Sequence, residues 1–324
     1  MITNKNDTEV VDPINQLKII GYDKYFKSFK GLFESNKLPN VVLLSGPKGI
    51  GKATFAYHFI NYLLSYHEDD AYSLKDFEIN SNNKSYKLLR DDIHPNFFLL
   101  DNVSNESTIK IDQARSLLKF LNKSTYSRDL KIIMIDNIEN LNLNSSNALL
   151  KALEEPNNNT FFFLIYNNAS KILNTIRSRC LEFKFFFNLP ERKRIFAEIS
   201  KTYNLKYDVN NIGDIFYYDT PGNLLKYFSI LNDSNIDIIN DKLSCVYYLI
   251  EKYKNKQDHE LLKFASFFVE QFYNQLSLNN SQHLSNYNRN KFKILDFINN
   301  TIKFNLDKKN LLISIHGVLD NEVR

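Results

Sequence analysis

Short apolar runs that are not interrupted by polar residues mark the first half of the chain as a series of strands and helices. Three such runs occupy residues 41–45, 132–136 and 161–166, and the second ends in an aspartate. Runs of this length without alternation are typical of parallel strands buried on both faces. Segments with helical spacing separate them. The order strand, helix, strand, helix, strand predicts an α/β domain with a mainly parallel sheet over residues 1–185.

Three helices are predicted within this α/β domain. The first follows the run at 41–45 and carries an apolar face at helical spacing, formed by Phe55, Ala56, Phe59, Ile60, Leu63 and Leu64. The second has Asp112 as its predicted N-cap and an apolar face that extends to Leu121. The third covers 145–155 and is ended by Pro156. The polar stretch 67–96 is predicted to be an excursion from the core.

In the second half of the chain, apolar residues recur at helical spacing and do not alternate with polar residues as they do in strands. Pro190 suits the first turn of a helix, and Pro221 with Gly222 is predicted to break the chain. Long amphipathic stretches follow at 243–253 and 261–276. We therefore predict a small helical domain over 186–235 and an all-helical domain over 236–324.

Composition and charge limit the class of protein. Of the 324 residues, 43% are hydrophobic and 24% charged, as in ordinary globular chains. No apolar run approaches the ~20 residues that cross a bilayer, and the amino terminus is polar and acidic, unlike a signal peptide. Cys180 and Cys245 are the only two cysteines, too few for a disulfide framework or a four-cysteine zinc site. The net charge of +4 is spread along the chain. We expect a cytoplasmic protein with no membrane segment, and nothing in the charge demands direct binding of nucleic acid.

Glycine is rare in this chain, and its placement is informative. There are 8 glycines, of which three fall within the run Gly46-Pro47-Lys48-Gly49-Ile50-Gly51-Lys52. This run matches the P-loop as far as its lysine. Glycines let successive backbone N–H groups face phosphate oxygens, and the lysine neutralises the β/γ charge. A structural turn is the alternative, but the strand before and the helix after favour a phosphate site. Its candidate residues are Gly46, Pro47, Lys48, Gly49, Ile50, Gly51, Lys52, Ala53 and Thr54.

The set of residues expected to support ATP hydrolysis is incomplete in this sequence. Ala53 stands where a P-loop carries a Ser or Thr ligand for Mg²⁺, and Thr54 is rotated from that position by about 100°. Asp136, at the end of a buried strand, is the candidate Walker B acid, although it could instead cap a loop. Asn137 follows it, and an amide cannot accept a proton from water at neutral pH. Both Ala53 and Asn137 predict weak hydrolysis.

Two arginines follow the third strand, in the run Arg177-Ser178-Arg179-Cys180. A guanidinium in this place is either a surface charge or an arginine finger, which stabilises charge on a phosphoryl group in a neighbouring subunit. Cys180 has no evident histidine partner, so we expect no catalytic role for it.

Four motifs in a fixed order carry a family resemblance. They are GPKGIGKAT at 46–54, HPN at 94–96, NALLKALEEP at 147–156 and TIRSRC at 175–180. Together they resemble the clamp-loader branch of the AAA+ proteins, and within it the delta-prime family of bacterial DNA polymerase III. The resemblance covers about residues 18–185, is weak over the small helical domain and is only architectural beyond it.

The resemblance implies an AAA+ domain over 1–185, a lid over 186–235 and a collar over 236–324. It implies that Arg179 acts in trans on a neighbouring subunit's ATP, and that Asn168, or alternatively Asn167, is the sensor 1 residue. The sensor 2 arginine expected near Pro221 is absent from the sequence, as are the cysteines that bind zinc in many clamp-loader subunits. No zinc is therefore expected.

The function implied by the resemblance is that of a subunit in a hetero-oligomeric ring with clamp-loader ATPase subunits and a delta subunit. Such a ring loads the sliding clamp onto primed DNA in replication. This chain would bind ATP or ADP weakly or not at all, with little dependence on Mg²⁺, and would hydrolyse little or none. One alternative is an active AAA+ ATPase of the same or a related machine. A P-loop kinase for a small molecule explains the glycine loop but not the motifs at 147–156 and 175–180.

Overall fold

The computed structural model describes most of the chain, in two compact units. The described residues are 10, 12–102, 108–123, 130–168, 170–205, 219–232, 234, 236–238, 240–256, 259–304 and 306–319. The units are Met1–Lys226 and Tyr227–Arg324. The three domains predicted from the sequence, with boundaries after 185 and 235, stay a prediction. Residues 206–218 of the predicted lid lie outside the described part of the chain.

A five-stranded sheet forms the centre of the first unit. Its strands are β1 (Val41–Ser45), β2 (Phe97–Leu100), β3 (Lys131–Ile135), β4 (Thr160–Tyr166) and β5 (Leu181–Lys184). Their spatial order is β2-β3-β4-β1-β5, and every neighbouring pair is parallel. The predicted α/β fold with a parallel sheet is confirmed.

Helices cover both faces of this sheet. In the first unit they are α1 (Asp23–Glu34), α2 (Lys52–Ser65), α3 (Lys84–Arg90), α4 (Ile111–Leu121), α5 (Leu143–Glu154), α6 (Asn174–Arg177) and α7 (Leu189–Thr202), followed by α8 (Pro221–Asn232), whose last residues belong to the second unit. Val42 and Leu44 of β1 pack with α1 and α2, whereas Val41 and Leu43 pack with α4 and α5. Because both faces of β1 are buried, its first four residues are all apolar.

Local capping explains where two of these helices begin. The side chain of Asn142 accepts a hydrogen bond from the backbone N–H of Ser145 at 2.8 Å at the start of α5. At the start of α7, Asn188 and Glu191 form a capping box, with Pro190 in the first turn as predicted. The end of α5 is set by Pro156, since the residue before a proline avoids helical geometry.

Three local predictions are wrong. The stretch 67–96 is not an excursion, because apolar residues scattered through it are buried in the core beside α2; they are Tyr72, Phe77, Ile79, Tyr86 and Leu89. Asp112 lies inside the first turn of α4, whose N-cap is Lys110. Pro221 and Gly222 do not break the chain but begin α8, as a proline in a first turn allows.

The described part of the second unit is helical. Its remaining helices are α9 (Lys242–Lys256), α10 (His259–Asn279), α11 (Leu284–Phe304) and α12 (Lys308–Leu319). The first two contain the amphipathic stretches predicted at 243–253 and 261–276, so the predicted helical character is confirmed. Over the described residues, no helix has the length and hydropathy that a membrane span needs.

Candidate functional site

The glycine loop connects β1 to α2 in a conformation that requires its glycines. Gly49 has φ +78° and Gly51 has φ +103°, values that side-chain-bearing residues rarely adopt. Tyr22 fixes the loop from outside, because its hydroxyl donates a hydrogen bond to the Ile50 carbonyl oxygen at 2.8 Å. Burial raises the pKa of Tyr22 well above its usual value, so it remains a donor. The loop is therefore held in one shape by the core of the first unit.

Lys52 lies at the start of α2 and points back into this loop. Its side chain is buried, and its Nζ donates to the carbonyl oxygens of Gly46 and Pro47, each at 2.8 Å. Burial lowers the pKa of Lys52 to about 8, and the negative charge of Asp136 partly opposes that shift. An entering phosphate would take over hydrogen bonds that the loop carbonyls now accept.

The first turn of α8 lies against the same loop. The Thr220 hydroxyl donates to the Lys48 carbonyl oxygen at 2.8 Å. A Cβ added at Gly49 would lie 2.3 Å from the Asn223 side-chain oxygen and 2.4 Å from the Thr220 hydroxyl oxygen. Gly49 is thus required both by its φ and by this close approach.

Asp136 follows β3 and shares its surroundings with a second carboxylate, Asp101, which follows the neighbouring strand β2. Burial, followed by the charge of Asp101, raises the pKa of Asp136 to about 6. The Asn137 backbone N–H donates to the Asp136 carboxylate at 2.8 Å and, with the charge of Lys52, limits that rise. The P-loop lysine and the candidate Walker B acid therefore influence each other's charge.

Asn137 is hydrogen-bonded at both ends of its amide. Its Nδ2 donates to the Asp101 carboxylate at 3.2 Å, and its Oδ1 accepts from Asn167 Nδ2 at 2.7 Å. The Asn167 backbone N–H also donates to the Glu139 carboxylate at 3.1 Å. Asn168 is exposed, with φ +58°. Of the two residues left open for sensor 1, Asn167 is the one that contacts Asn137; the sensor role itself stays a prediction.

Ala53, which is predicted to weaken metal binding, and its neighbour Thr54 lie on the first turn of α2. Ala53 and Thr54 are both partly buried there, and Ala53 packs against the core beside α1 and α2. Across the described ranges, no three or more His, Cys, Asp or Glu side chains are grouped closely enough to hold a metal ion. The expectations about Mg²⁺ and zinc stay predictions.

Arg179 lies just after α6 and contacts two other elements. Its Nη2 donates to Glu154 Oε1 at the end of α5, and its Nη1 donates to the Thr175 carbonyl oxygen at 2.5 Å. Arg177 instead pairs with Glu182 of β5 at 2.7 Å. Cys180 is partly buried, and burial raises the pKa of its thiol to about 12, which argues against a reactive thiolate.

Several residues of the candidate site are not identified by any motif in the sequence. Asp101 has the clearest signal, because it follows an apolar run of four residues and parallel strands end at the same edge of a sheet. Tyr22, Glu139 and Thr220 offer no comparable pattern, since each acts through contacts with residues far away in the chain.

Comparison with known proteins places this α/β part in a family. A family model described as "DNA polymerase III, delta subunit" matches residues 21–187, about half of the chain. The chain belongs to this family. The match includes the glycine loop, Asp136 and Arg179, and it confirms the resemblance inferred from the motifs.

Individual relatives are consistent with membership of the DNA polymerase III delta family. The DNA polymerase III subunit delta' of Pseudomonas aeruginosa is 36% identical over 43% of this chain and 41% of its own length. The subunit gamma of Buchnera aphidicola is 29% identical over 69% of this chain and 61% of its own. The subunit delta' of Escherichia coli is 25% identical over 48% and 45%. The chain thus matches about half of the length of these relatives.

Among solved structures, a gamma subunit-related protein of DNA polymerase III from Thermotoga maritima aligns over 90% of this chain and 97% of its own. It is 16% identical, with a TM-score of 0.46.

Proposed function

We propose that this chain is a delta-prime-type subunit of a DNA polymerase III clamp loader. It would join ATPase subunits and a delta subunit in one ring that loads the sliding clamp onto primed DNA in the cytoplasm. Support comes from the family match over 21–187 and from relatives named subunits delta' and gamma of DNA polymerase III. The helices of the second unit supply apolar surface for contacts within that ring.

The role proposed for Arg179 is to stabilise the phosphoryl group of ATP bound to a neighbouring ATPase subunit. The observation that carries this role is that its guanidinium contacts both the Glu154 carboxylate and the Thr175 carbonyl oxygen, while 25% of the side chain is still exposed. A guanidinium held in place and accessible can meet an incoming phosphate without first losing side-chain freedom.

The chain itself is proposed to hydrolyse little or no ATP. The residue after Asp136 is Asn137, whose amide is already engaged by Asp101 and Asn167 and cannot act as a base. Ala53 offers no hydroxyl to a metal. Both features remove groups that act together in hydrolysis, and the loss of such groups is not compensated by the rest.

Weak binding of ATP or ADP is compatible with the loop. The glycine conformations at Gly49 and Gly51 and the charge of Lys52 suit phosphate oxygens, but Lys52 already donates to two loop carbonyls. The nucleotide would supply negative phosphate groups, which Lys52 and the loop N–H groups would hold. No residue in this loop replaces the missing metal ligand.

The decisive experiment compares two neighbouring arginines in a reconstituted complex with clamp-loader ATPase subunits. Arg179→Ala should lower DNA-stimulated ATP hydrolysis, with an upper limit of about 10³–10⁵-fold, the range known for arginine fingers. Arg177→Ala is the matched control, because it removes the same charge two positions away and should leave the rate unchanged. Size exclusion should show both variants in the complex. Equal rates for Arg179→Ala and the unaltered protein would refute the role in trans.

A second candidate function is an active ATPase, favoured by the electrostatic coupling between Lys52 and Asp136. ATP turnover by the purified chain alone, abolished by Lys52→Ala, would establish it and would displace the first proposal.

A further inference from the structure

Glu154 contacts the Arg179 guanidinium from a different helix than the one that immediately precedes Arg179 in the chain. The pair spans 25 positions of sequence and connects the last residue of α5 to the segment after α6. The second hydrogen bond, to the Thr175 carbonyl, comes from α6. Two different nitrogens of one planar group are therefore held by two different helices, which fixes both the position and the plane of the guanidinium.

The third nitrogen shows that this orientation is maintained at a cost. Arg179 Nε is buried and has no hydrogen-bond partner among the residues that the structure describes. A buried polar group left unpaired is destabilising, and rotation of the long side chain toward water would relieve that cost. The side chain nevertheless stays 25% exposed and in contact with Glu154. The two contacts at Nη1 and Nη2 therefore determine its conformation.

The element that carries Glu154 is itself rigid. Leu149 and Leu153 of α5 are buried against the sheet, at 0% and 2% exposure. Glu154 comes directly after Leu153, so its backbone is anchored by the core. A carboxylate on a fixed helix end can hold a flexible arginine in a reproducible position.

We infer that Glu154 is a positioning residue: with the Thr175 carbonyl, its carboxylate holds the Arg179 guanidinium in the orientation from which it acts on a neighbouring subunit's ATP. This inference rests on the proposed role of Arg179 in trans. It assigns a function to one glutamate of the 147–156 motif, and it distinguishes Glu154 from the adjacent Glu155.

Arg177 provides an internal comparison. It also pairs with a carboxylate, Glu182 of β5, but half of its side chain is exposed. The Arg177 pair lies within six residues of sequence, whereas the Arg179 pair connects the end of α5 to the segment after α6. The Arg179 guanidinium, which also donates to the Thr175 carbonyl oxygen, is thus held by groups on two helices.

The test is the variant Glu154→Gln in the complete clamp-loader complex, with Glu155→Gln as the matched control. Gln keeps the length and an accepting oxygen but removes the charge. We expect the kcat of DNA-stimulated ATP hydrolysis to fall about two- to fivefold, the range that a half-exposed ion pair can carry, with the KM for ATP unchanged. Glu155→Gln should match the unaltered protein. Thermal unfolding and size exclusion should give the same values for all of these variants.

A double variant separates positioning from any independent effect. If Glu154 acts through Arg179, the variant with both Glu154→Gln and Arg179→Ala should hydrolyse ATP no more slowly than Arg179→Ala alone. An unchanged or faster rate for Glu154→Gln, or an additive double variant, would overturn the inference while leaving Arg179 in its role. If Arg179→Ala alone has no effect, the proposed function fails, and this inference fails with it.

Discussion

Gly222 donates its backbone N–H to the carbonyl oxygen of Gly49, with the two atoms 2.9 Å apart. The first residue is in the opening turn of α8, and the second is in the phosphate loop, more than 170 positions earlier. The two backbone segments approach each other so closely that a Cβ added at Gly222 would lie 2.4 Å from the Gly49 carbonyl oxygen. The loop is thus covered by a turn that carries no arginine, at the position where the resemblance predicts a sensor 2 arginine in active subunits.

This contact predicts that Gly222→Ala is destabilising. The new methyl group meets backbone atoms, which cannot rotate away, so the turn must move and the hydrogen bond to Gly49 must lengthen. We expect a loss of about 1–3 kcal/mol in the free energy of unfolding. Urea unfolding followed by tyrosine fluorescence measures it, since the chain has 19 tyrosines and no tryptophan.

Gly31→Ala is the control for Gly222→Ala. Gly31 lies in α1, and an added Cβ there has nothing within 4 Å. This substitution should raise the free energy of unfolding by up to about 1 kcal/mol, because alanine loses less backbone entropy in a helix. Equal stability of the two variants would contradict the contact between the turn and the loop.

The sequence predicts β1, β3 and β4 correctly because each is buried and contains an uninterrupted apolar run of at least four residues. It does not predict β2 and β5, for two different reasons. β2 is only four residues long and follows a proline motif. β5 is an edge strand with the sequence LEFK, whose exposed Leu181 and charged residues resemble a loop.

The candidate site was predictable only where a residue belongs to a local motif. The glycine loop and Asp136 are recognisable because strand, glycines and carboxylate occur in short, ordered runs. The contacts from Arg179 to Glu154 and from Thr220 to Lys48 join residues that are 25 and 172 positions apart. Hydrophobic periodicity carries no information about such pairs, so these contacts are recognisable only in the folded structure.

The raised pKa of Asp136 predicts a pH dependence of stability. Its native pKa of about 6 exceeds its ordinary value of 3.8. Between these values the native state binds the proton more tightly than the unfolded state. The Asp136 contribution to stability is therefore present at low pH and is lost as the pH rises through about 4 to 6. The loss is at most about 3 kcal/mol, at 1.36 kcal/mol per pKa unit.

The measurement is the difference in unfolding free energy between the protein and Asp136→Asn at several pH values. A difference is needed because His58 and His94, whose pKa values are lowered to about 4 by burial, change stability in the opposite direction over the same window. The stability of Asp136→Asn relative to the unaltered protein should rise progressively from pH 4 to pH 6, because the variant lacks the Asp136 loss that opposes the rise from the two histidines. Asp112→Asn, at an exposed aspartate, should run parallel to the unaltered protein. Parallel curves for Asp136→Asn would contradict the raised pKa.

Nucleotide binding is expected to be weak and nearly independent of Mg²⁺. Lys52 and the loop N–H groups provide phosphate contacts, whereas Ala53 provides no hydroxyl for the metal. Calorimetric titration with ATP, in Mg²⁺ and after chelation, should give similar affinities. Ala53→Ser should restore a metal ligand and create a dependence on Mg²⁺, and Lys52→Ala should remove binding in both conditions. Tight binding by the unaltered protein that collapses on chelation would contradict this prediction.

Replacing Asn137 by glutamate should not create an ATPase. The substitution introduces a carboxylate, but it replaces an amide that donates to Asp101 and so sets two negative charges together. Asn137 also has φ +56°, a conformation that asparagine tolerates and glutamate disfavours by about 1 kcal/mol. We expect Asn137→Glu to lower stability and to leave ATP turnover near zero.

Asn137→Gln separates the effect of the added charge on stability from the effect of the backbone conformation. Glutamine has the same backbone preference as glutamate but carries no charge. Asn137→Gln should lose less stability than Asn137→Glu. Substantial turnover by Asn137→Glu alone would show that the missing carboxylate is the only defect of the site.

The last helix predicts which face of the second unit takes part in assembly. Leu311, Ile315 and Leu319 of α12 are buried, at 2%, 0% and 1% exposure, whereas Ile313 on the other side is 69% exposed. Ile313→Asp should therefore leave the unfolding midpoint almost unchanged but weaken entry into the complex, because an exposed apolar side chain contributes affinity only where a partner covers it. Asn310→Asp adds the same charge at an exposed polar position and should assemble normally. The measurements are size exclusion with the ATPase subunits and thermal unfolding of each variant. Normal assembly of Ile313→Asp would exclude this face of α12 from the assembly contact. Loss of assembly together with loss of stability would show that Ile313 acts through folding instead.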